Sequence, residues 1–243
     1  MDRFDFFAQL PRTQPGAVSF TSLLLTNVEV SPDQRILDLE AGAGDRSVWL
    51  ARSRCRRVVS HNEDERYTQV LEERAQAGGA SPYIETVTCD MLDLPFEDTQ
   101  FNLILAEWAA TANGLRASLN HWGQFLAPDG FLAVSYPGVR NKDAPVEARG
   151  PLELRMAEPM DTIEAYHRII AEAGFEIQFQ LPLPEEAWDN FYADTLRRVW
   201  SLSEADSEVM SNPVIKSIHA EAKWYRRVGR GRVFLQGLLL KKA

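Results

Sequence analysis

The chain has 243 residues and is 45% hydrophobic, enough to bury a full core as one large domain, or as one domain with an appended lid. Thirty-five acidic against 26 basic residues give a net charge of −9, which argues against a nonspecific nucleic-acid binder with a basic face. Cys55 and Cys89 form no metal or redox motif, the acidic start Met1-Asp2-Arg3-Phe4-Asp5 is unlike a signal peptide, and no apolar run reaches membrane-span length. The expectation is a cytoplasmic protein with reduced thiols and no membrane partner.

In chain order, Phe4, Phe6, Phe7 and Leu10 predict a small helix within an N-terminal helical cover over 1–30. Short apolar runs then alternate with amphipathic stretches, the pattern of a parallel sheet covered on both faces. Strands are expected at Arg35–Leu39, Arg57–His61, Tyr83–Thr88, Phe101–Ala106 and Gly130–Tyr136. A helix starts near Gly44 or Asp45; another covers Asp64–Ala77, with Tyr67, Val70, Leu71 and Ala75 on one face and Gly78-Gly79 as its stop. A third spans Leu115 to Leu126. Residues 139–160, rich in Pro, Gly and charge, read as a mobile connection. A helix through Ile163, Tyr166, Ile170 and Ala173 precedes the strand Phe175–Gln180. Two helical stretches, Glu185–Leu202 and Glu204–Val228, form an insertion or lid over 182–230 before the final strand Arg232–Leu240. The expected architecture is α/β: a single domain, 1–243, with a doubly wound, mostly parallel seven-stranded sheet and a helical insertion before the last strand.

Open parallel sheets bind ligands at the carboxyl ends of their strands, beside the point where strand order reverses. The run Ile36-Leu37-Asp38-Leu39-Glu40-Ala41-Gly42-Ala43-Gly44 falls there. Glycines at 42 and 44 admit close approach and unusual backbone angles, and the following helix aims its amides and positive dipole end at the turn. A tight strand-to-helix turn alone would need the same residues, so the loop by itself divides evenly between turn and ligand site. A nicotinamide-binding loop is disfavoured by Ser47 at its third glycine position.

Three further blocks follow in order: Thr88-Cys89-Asp90-Met91-Leu92-Asp93-Leu94-Pro95-Phe96, the strand Phe101–Ala106, and Phe125-Leu126-Ala127-Pro128-Asp129-Gly130-Phe131. Together the four blocks resemble the class I S-adenosylmethionine-dependent methyltransferases, and the later Trp/Tyr stretches resemble an uncharacterised bacterial and archaeal subgroup of small-molecule methyltransferase-like proteins. The resemblance implies S-adenosyl-L-methionine as cofactor, with Asp38, Glu40, Gly42, Gly44, Asn62, Asp90 and Met91 around it. The loop would embrace the methionine half, Asp90 would accept from the adenine amino group, and Met91 would lie against the purine. Glu40 stands where the family has glycine, and Asn62 where it has the ribose-binding carboxylate; Glu63 is the substitute for the latter. Glu107, after the fourth strand, is the candidate general base or acceptor-orienting group, with a plain loop hydrogen bond as its alternative role.

On the acceptor side, Trp108, Trp188, Tyr192 and Arg226 are the candidate binding residues; core packing competes for each aromatic, and a solvated helix end for Arg226. His61, His121, His167 and His219 show no ligand spacing, so no metal is expected. The expected activity is methyl transfer to a small-molecule acceptor by in-line displacement, with no nucleic acid involved and a homodimer left open. The rival is a catalytically inactive methyltransferase-like protein that binds a nucleoside ligand or a protein partner.

Overall fold

The computed structural model describes every residue of the chain except Pro11 and Ala17. Seven strands form one sheet: β1 (Ile36–Asp38), β2 (Val58–Asn62), β3 (Ile84–Thr88), β4 (Phe101–Glu107), β5 (Leu126–Val139), β6 (Phe175–Pro182) and β7 (Val233–Lys242), in spatial order β3-β2-β1-β4-β5-β7-β6. The first five pair in parallel, and β7 slots between β5 and β6, antiparallel to both. Strand order therefore reverses between β1 and β4, and the loops leaving those two strands open side by side.

Period-two burial sends alternate residues of the sheet to its two faces. Leu37, Ile104, Ala106, Leu132 and Val134 pack against α5 (Leu115–Gly123) and α7 (Ile163–Glu172), whose Leu119, Trp122, Tyr166 and Ile170 are almost wholly buried. Ile36, Val58, Leu103, Leu105 and Ala133 face the other way, toward α2 (Val18–Leu24) and α3 (Asp45–Ser53). The helix α4 (Glu65–Ala77) is capped by the Asp64 side chain, which accepts from Arg66 N, and it ends at Gly78.

Two local expectations are corrected. The strand expected from Gly130 begins at Leu126, so α5 ends three residues early: Leu126 already pairs with Phe101, and Gly130 passes so close to the Ala127 and Phe101 carbonyls that a Cβ would lie 2.9 and 3.0 Å from them. The presumed connection at 139–160 contains α6 (Val146–Glu153). Gly150, at φ 54° and ψ −152°, kinks it just before Pro151; Ala148 and Leu152 are buried on either side of the kink, and Trp224 donates its indole N–H to Glu147 O at 2.7 Å.

Between β6 and β7 lie α8 (Glu185–Ala205) and α9 (Pro213–Trp224), where one helix over 204–228 was expected to follow the first. Asp206 and Asn212 break that stretch by capping separate helical starts, with Pro213 at the first position of α9. A π-helical turn at Tyr225–Gly229 ends it and swings Tyr225 into a stack with Trp188 and Tyr192, at ring distances of 5.4 and 4.6 Å. The first helix, α1 (Arg3–Phe7), docks on this layer: Phe7 stacks on Phe191, and Arg198 donates to Asp5 O. Among the described residues, no helix is long and apolar enough to cross a membrane.

Candidate functional site

At the reversal point, Leu39 N donates to Leu105 O at 2.8 Å, so β1 and β4 leave the sheet together. Asp38 is fully buried, and its carboxylate accepts from Arg46 Nε at 2.7 Å and from Ser47 Oγ at 2.6 Å. It thus fastens the first turn of α3 to the sheet and supports the loop from beneath. Arg46 also donates to Leu39 O and stands 3.8 Å from the Glu107 carboxylate. Burial works against its charge, yet Asp38 and Glu107 hold the guanidinium pKa above its ordinary value. Glu107, 2% exposed, accepts from the Thr21 hydroxyl, and burial raises its pKa against the opposing pull of Arg46.

The loop itself is held in an unusual conformation. Glu40, Gly42 and Gly44 all have positive φ, at 49°, 58° and 87°. Gly42 is pinned from both sides by Asn62, whose Oδ1 accepts from Gly42 N at 2.7 Å while its Nδ2 donates to Gly42 O at 3.1 Å. Asn62 is 1% exposed and both its polar atoms are engaged, so the residue clamps the loop. Glu40 bends aside to accept from Glu63 N at 3.1 Å, while Glu63 reaches across to Met91 N at 3.1 Å. Burial, followed by the nearby Glu63 carboxylate, pushes the Glu40 carboxyl up to about 7.

Three cavities converge here. One of about 320 Å³ is lined by Arg46, Glu107, Thr21, Ala41 and Ala43. A second, about 570 Å³, runs over Glu40, Gly42, Asp64 and Tyr67 beneath α1. The third, about 200 Å³, lies under α8 and is lined by Trp108, Tyr192, Phe191, Arg155 and Glu221. Thr13 and Gln14 line all three, so one short segment borders every chamber. That segment is tied down by Trp108, whose Nε1 donates to Pro15 O at 3.1 Å, and by an Arg12–Asp194 ion pair at 3.5 Å.

The remaining predicted residues are placed unevenly. Asp90 is exposed, with Oδ1 accepting from Leu92 N in a local turn. The Met91 side chain is 1% exposed and belongs to the same core cluster as Leu94 and Phe101. Trp108 and Tyr192 line the small chamber. Trp188 packs edge-on behind Trp108, 2% exposed, and Arg226 opens onto the outer surface of the α8–α9 layer with Trp200 and Arg230.

Sequence reasoning missed Arg46, Thr13, Gln14, Arg155 and Glu221. A signal was present for two of them. Arg46 lies one turn before Leu50 on the buried stripe of α3, and Glu221 lies between Ile218 and Tyr225 on that of α9, so each puts a charge on an apolar face. Thr13 and Gln14 carried none.

The site fits the amino-acid end of the expected cofactor. Arg46 and Glu107 place opposite charges on one cavity wall, suited to a carboxylate and an ammonium. A Cβ at Gly42 would meet only Thr13 Oγ1, at 3.5 Å, so glycine there leaves open backbone toward the cavity. The free Asp90 oxygen is an acceptor for an exocyclic amine, whereas the ribose carboxylate is missing.

Residues 36–130 match the methyltransferase domain family. Over 212 residues the chain is 23% identical to an uncharacterised methyltransferase, YodH, of Bacillus subtilis (strain 168), covering 82% of this chain and 90% of that protein. The structure is similar to that of YjhP from E. coli, with a TM-score of 0.84 at 17% identity over 99% of both chains. It is also similar to a methyltransferase from Geobacter sulfurreducens in complex with S-adenosyl-L-homocysteine, with a TM-score of 0.81 at 16% identity, over 100% of this chain and 99% of that one.

Proposed function

We propose that this chain, whose residues 36–130 match the methyltransferase domain family, catalyses methyl transfer from S-adenosyl-L-methionine to a small-molecule acceptor. The observation that carries the proposal is the pairing of a charged cavity, walled by Arg46 and Glu107 beside the Gly42 loop, with a smaller aromatic chamber under the lid. When bound, the cofactor supplies an electrophilic methyl carbon: the acceptor's lone pair forms the new bond, the carbon–sulfur bond breaks with its electron pair going to sulfur, and any acceptor proton leaves to solvent.

Arg46 would hold the methionine carboxylate and Glu107 the ammonium, with Asp38 keeping the guanidinium oriented. Asp90 would accept from the adenine amino group. Glu107 is thereby a binding residue at the amino-acid end, a role its burial and its bond to Thr21 suit better than proton abstraction. Trp108 and Tyr192 would wall the acceptor and exclude water, leaving alignment as the main catalytic contribution. The Tyr192 phenol is no base here: burial and its hydrogen bond partner Glu221 raise its pKa well above the ordinary value.

One feature favours the inactive reading: Asn62 is committed to Gly42, and Glu63 occupies Met91 N, an amide beside Asp90 that a purine would otherwise use. Calorimetric titration with S-adenosylhomocysteine, followed by transfer of a labelled methyl group into a cell-extract metabolite pool, separates the readings. Binding with transfer supports the enzyme; binding without transfer supports the inactive nucleoside-binding form; absence of binding refutes the enzyme and leaves the inactive form with a protein partner.

A further inference from the structure

The small chamber under α8 has a charge imbalance. Its charged lining is Arg3, Arg155 and Glu221, two guanidiniums against one carboxylate, which leaves a net charge of +1. Glu221 is already satisfied: Arg155 Nη2 donates to its Oε1 at 2.8 Å, and the Tyr192 hydroxyl donates to the same oxygen at 3.0 Å. Arg3 has no carboxylate partner among the described residues, and only the Phe7 ring lies under it, 4.9 Å from the guanidinium carbon. Although Arg3 keeps an exposed flank, burial and the like charge of Arg155 hold its pKa below the ordinary range. A cationic chamber is a local inversion in a chain whose net charge is −9. The apolar part of the lining is Trp108, Phe191, Leu152 and Met156, with Pro15. The volume, about 200 Å³, falls below the roughly 300–1,000 Å³ of pockets for drug-sized ligands.

We infer that the methyl acceptor is a small molecule bearing a single carboxylate, held by Arg3 and Arg155 with its apolar body against Trp108 and Phe191. The inference rests on the proposed reading of this chamber as the acceptor site. One negative charge balances the lining, and a planar carboxylate matches the fork of a guanidinium. A dianion would leave one charge uncompensated in a half-enclosed space, and a cation would meet two like charges.

The test is calorimetric titration of the full chain with benzoate, using benzamide and benzylamine as neutral and cationic isosteres. Benzoate is expected to bind about tenfold or more tightly than benzamide, with benzylamine weakest. Two variants should move the benzoate affinity in opposite directions: Arg3→Gln weakens it about tenfold, and Glu221→Gln, which keeps an acceptor for Tyr192 and frees Arg155, tightens it several-fold. Benzoate binding no tighter than benzamide overturns the inference, as does a shift of both variants in one direction, the mark of structural damage. S-adenosylhomocysteine titrated separately into the wild type tests the donor site alone. Its failure to bind, with the benzoate pattern intact, leaves the anion site standing while the methyl-transfer reading falls.

Discussion

Gly42 and Gly44 occupy the same loop, yet the structure assigns them different duties, and alanine at each should separate binding from folding. At Gly42 an added methyl meets only Thr13 Oγ1, at 3.5 Å, an ordinary contact. The cost to folding is then the left-handed backbone at φ 58°, roughly 1–2 kcal/mol for an L-residue. At Gly44 the methyl would lie 2.5 Å from Leu71 Cγ and 3.2 Å from Leu71 Cα, on a residue whose φ is 87°. Overpacking adds about 1–3 kcal/mol to the same backbone strain, so Gly44→Ala should lose roughly 2–5 kcal/mol. That is a large part of the about 5–15 kcal/mol a domain has. Urea unfolding reports stability, and calorimetry with S-adenosylhomocysteine reports binding. Gly42→Ala should stay folded and bind at least about tenfold more weakly, because its methyl stands on the cavity wall. Wild-type affinity in Gly42→Ala would mean the loop does not touch the ligand, and wild-type stability in Gly44→Ala would refute the packing argument against α4.

Three other outcomes follow from the buried polar groups. The Glu40 carboxyl is raised from 4.5 to about 7, so it is protonated in both folded and unfolded chains below the lower value and costs stability as pH rises through the upper one. Glu40→Gln should therefore match the wild type near about pH 4 and exceed it near about pH 8 in urea midpoints; an equal difference at both would sink this account. Asn62→Asp restores the acid typical of the resembling family but removes the donor to Gly42 O and buries a charge, so a loss of about 2–4 kcal/mol is expected in the same assay, and a gain would contradict the clamp. Arg46→Met strands the Asp38 and Glu107 carboxylates and should lose about 3–5 kcal/mol, mostly recovered in a double variant with Asp38→Asn if the pair is the cause.

The order of elements was legible because burial periodicity and turn residues are local properties: Ile36 to Gly44, the stop at Gly78-Gly79 and the strand Phe101–Ala106 could be read directly. Boundaries slipped where tertiary contacts decide. Leu126 joins the sheet because Phe101 is there to pair with it, and α6 exists because the α8–α9 layer covers its Ala148 and Leu152. Site residues divided on the same principle. Glu107 and Gly42 follow from strand ends in an open sheet, and the structure puts both on cavity walls. Asp38, Asn62 and Met91 were assigned to a ligand by position along the chain, but their partners are Arg46, Gly42 and the sheet core, which no spacing announces. The placement of Arg226 was not legible because a π-helical turn rotates the residues after Trp224, sending Tyr225 inward and Arg226 out.

Thr13 and Gln14 face all three chambers at once, and Trp108 anchors the next residue, Pro15. A segment shared in this way cannot yield to an occupant in one chamber without altering the space in the others. Filling either compartment must then change the affinity of its neighbour by one factor, the same in both directions. The molecule would take up its two ligands as linked events, coupled through the segment that both of them touch.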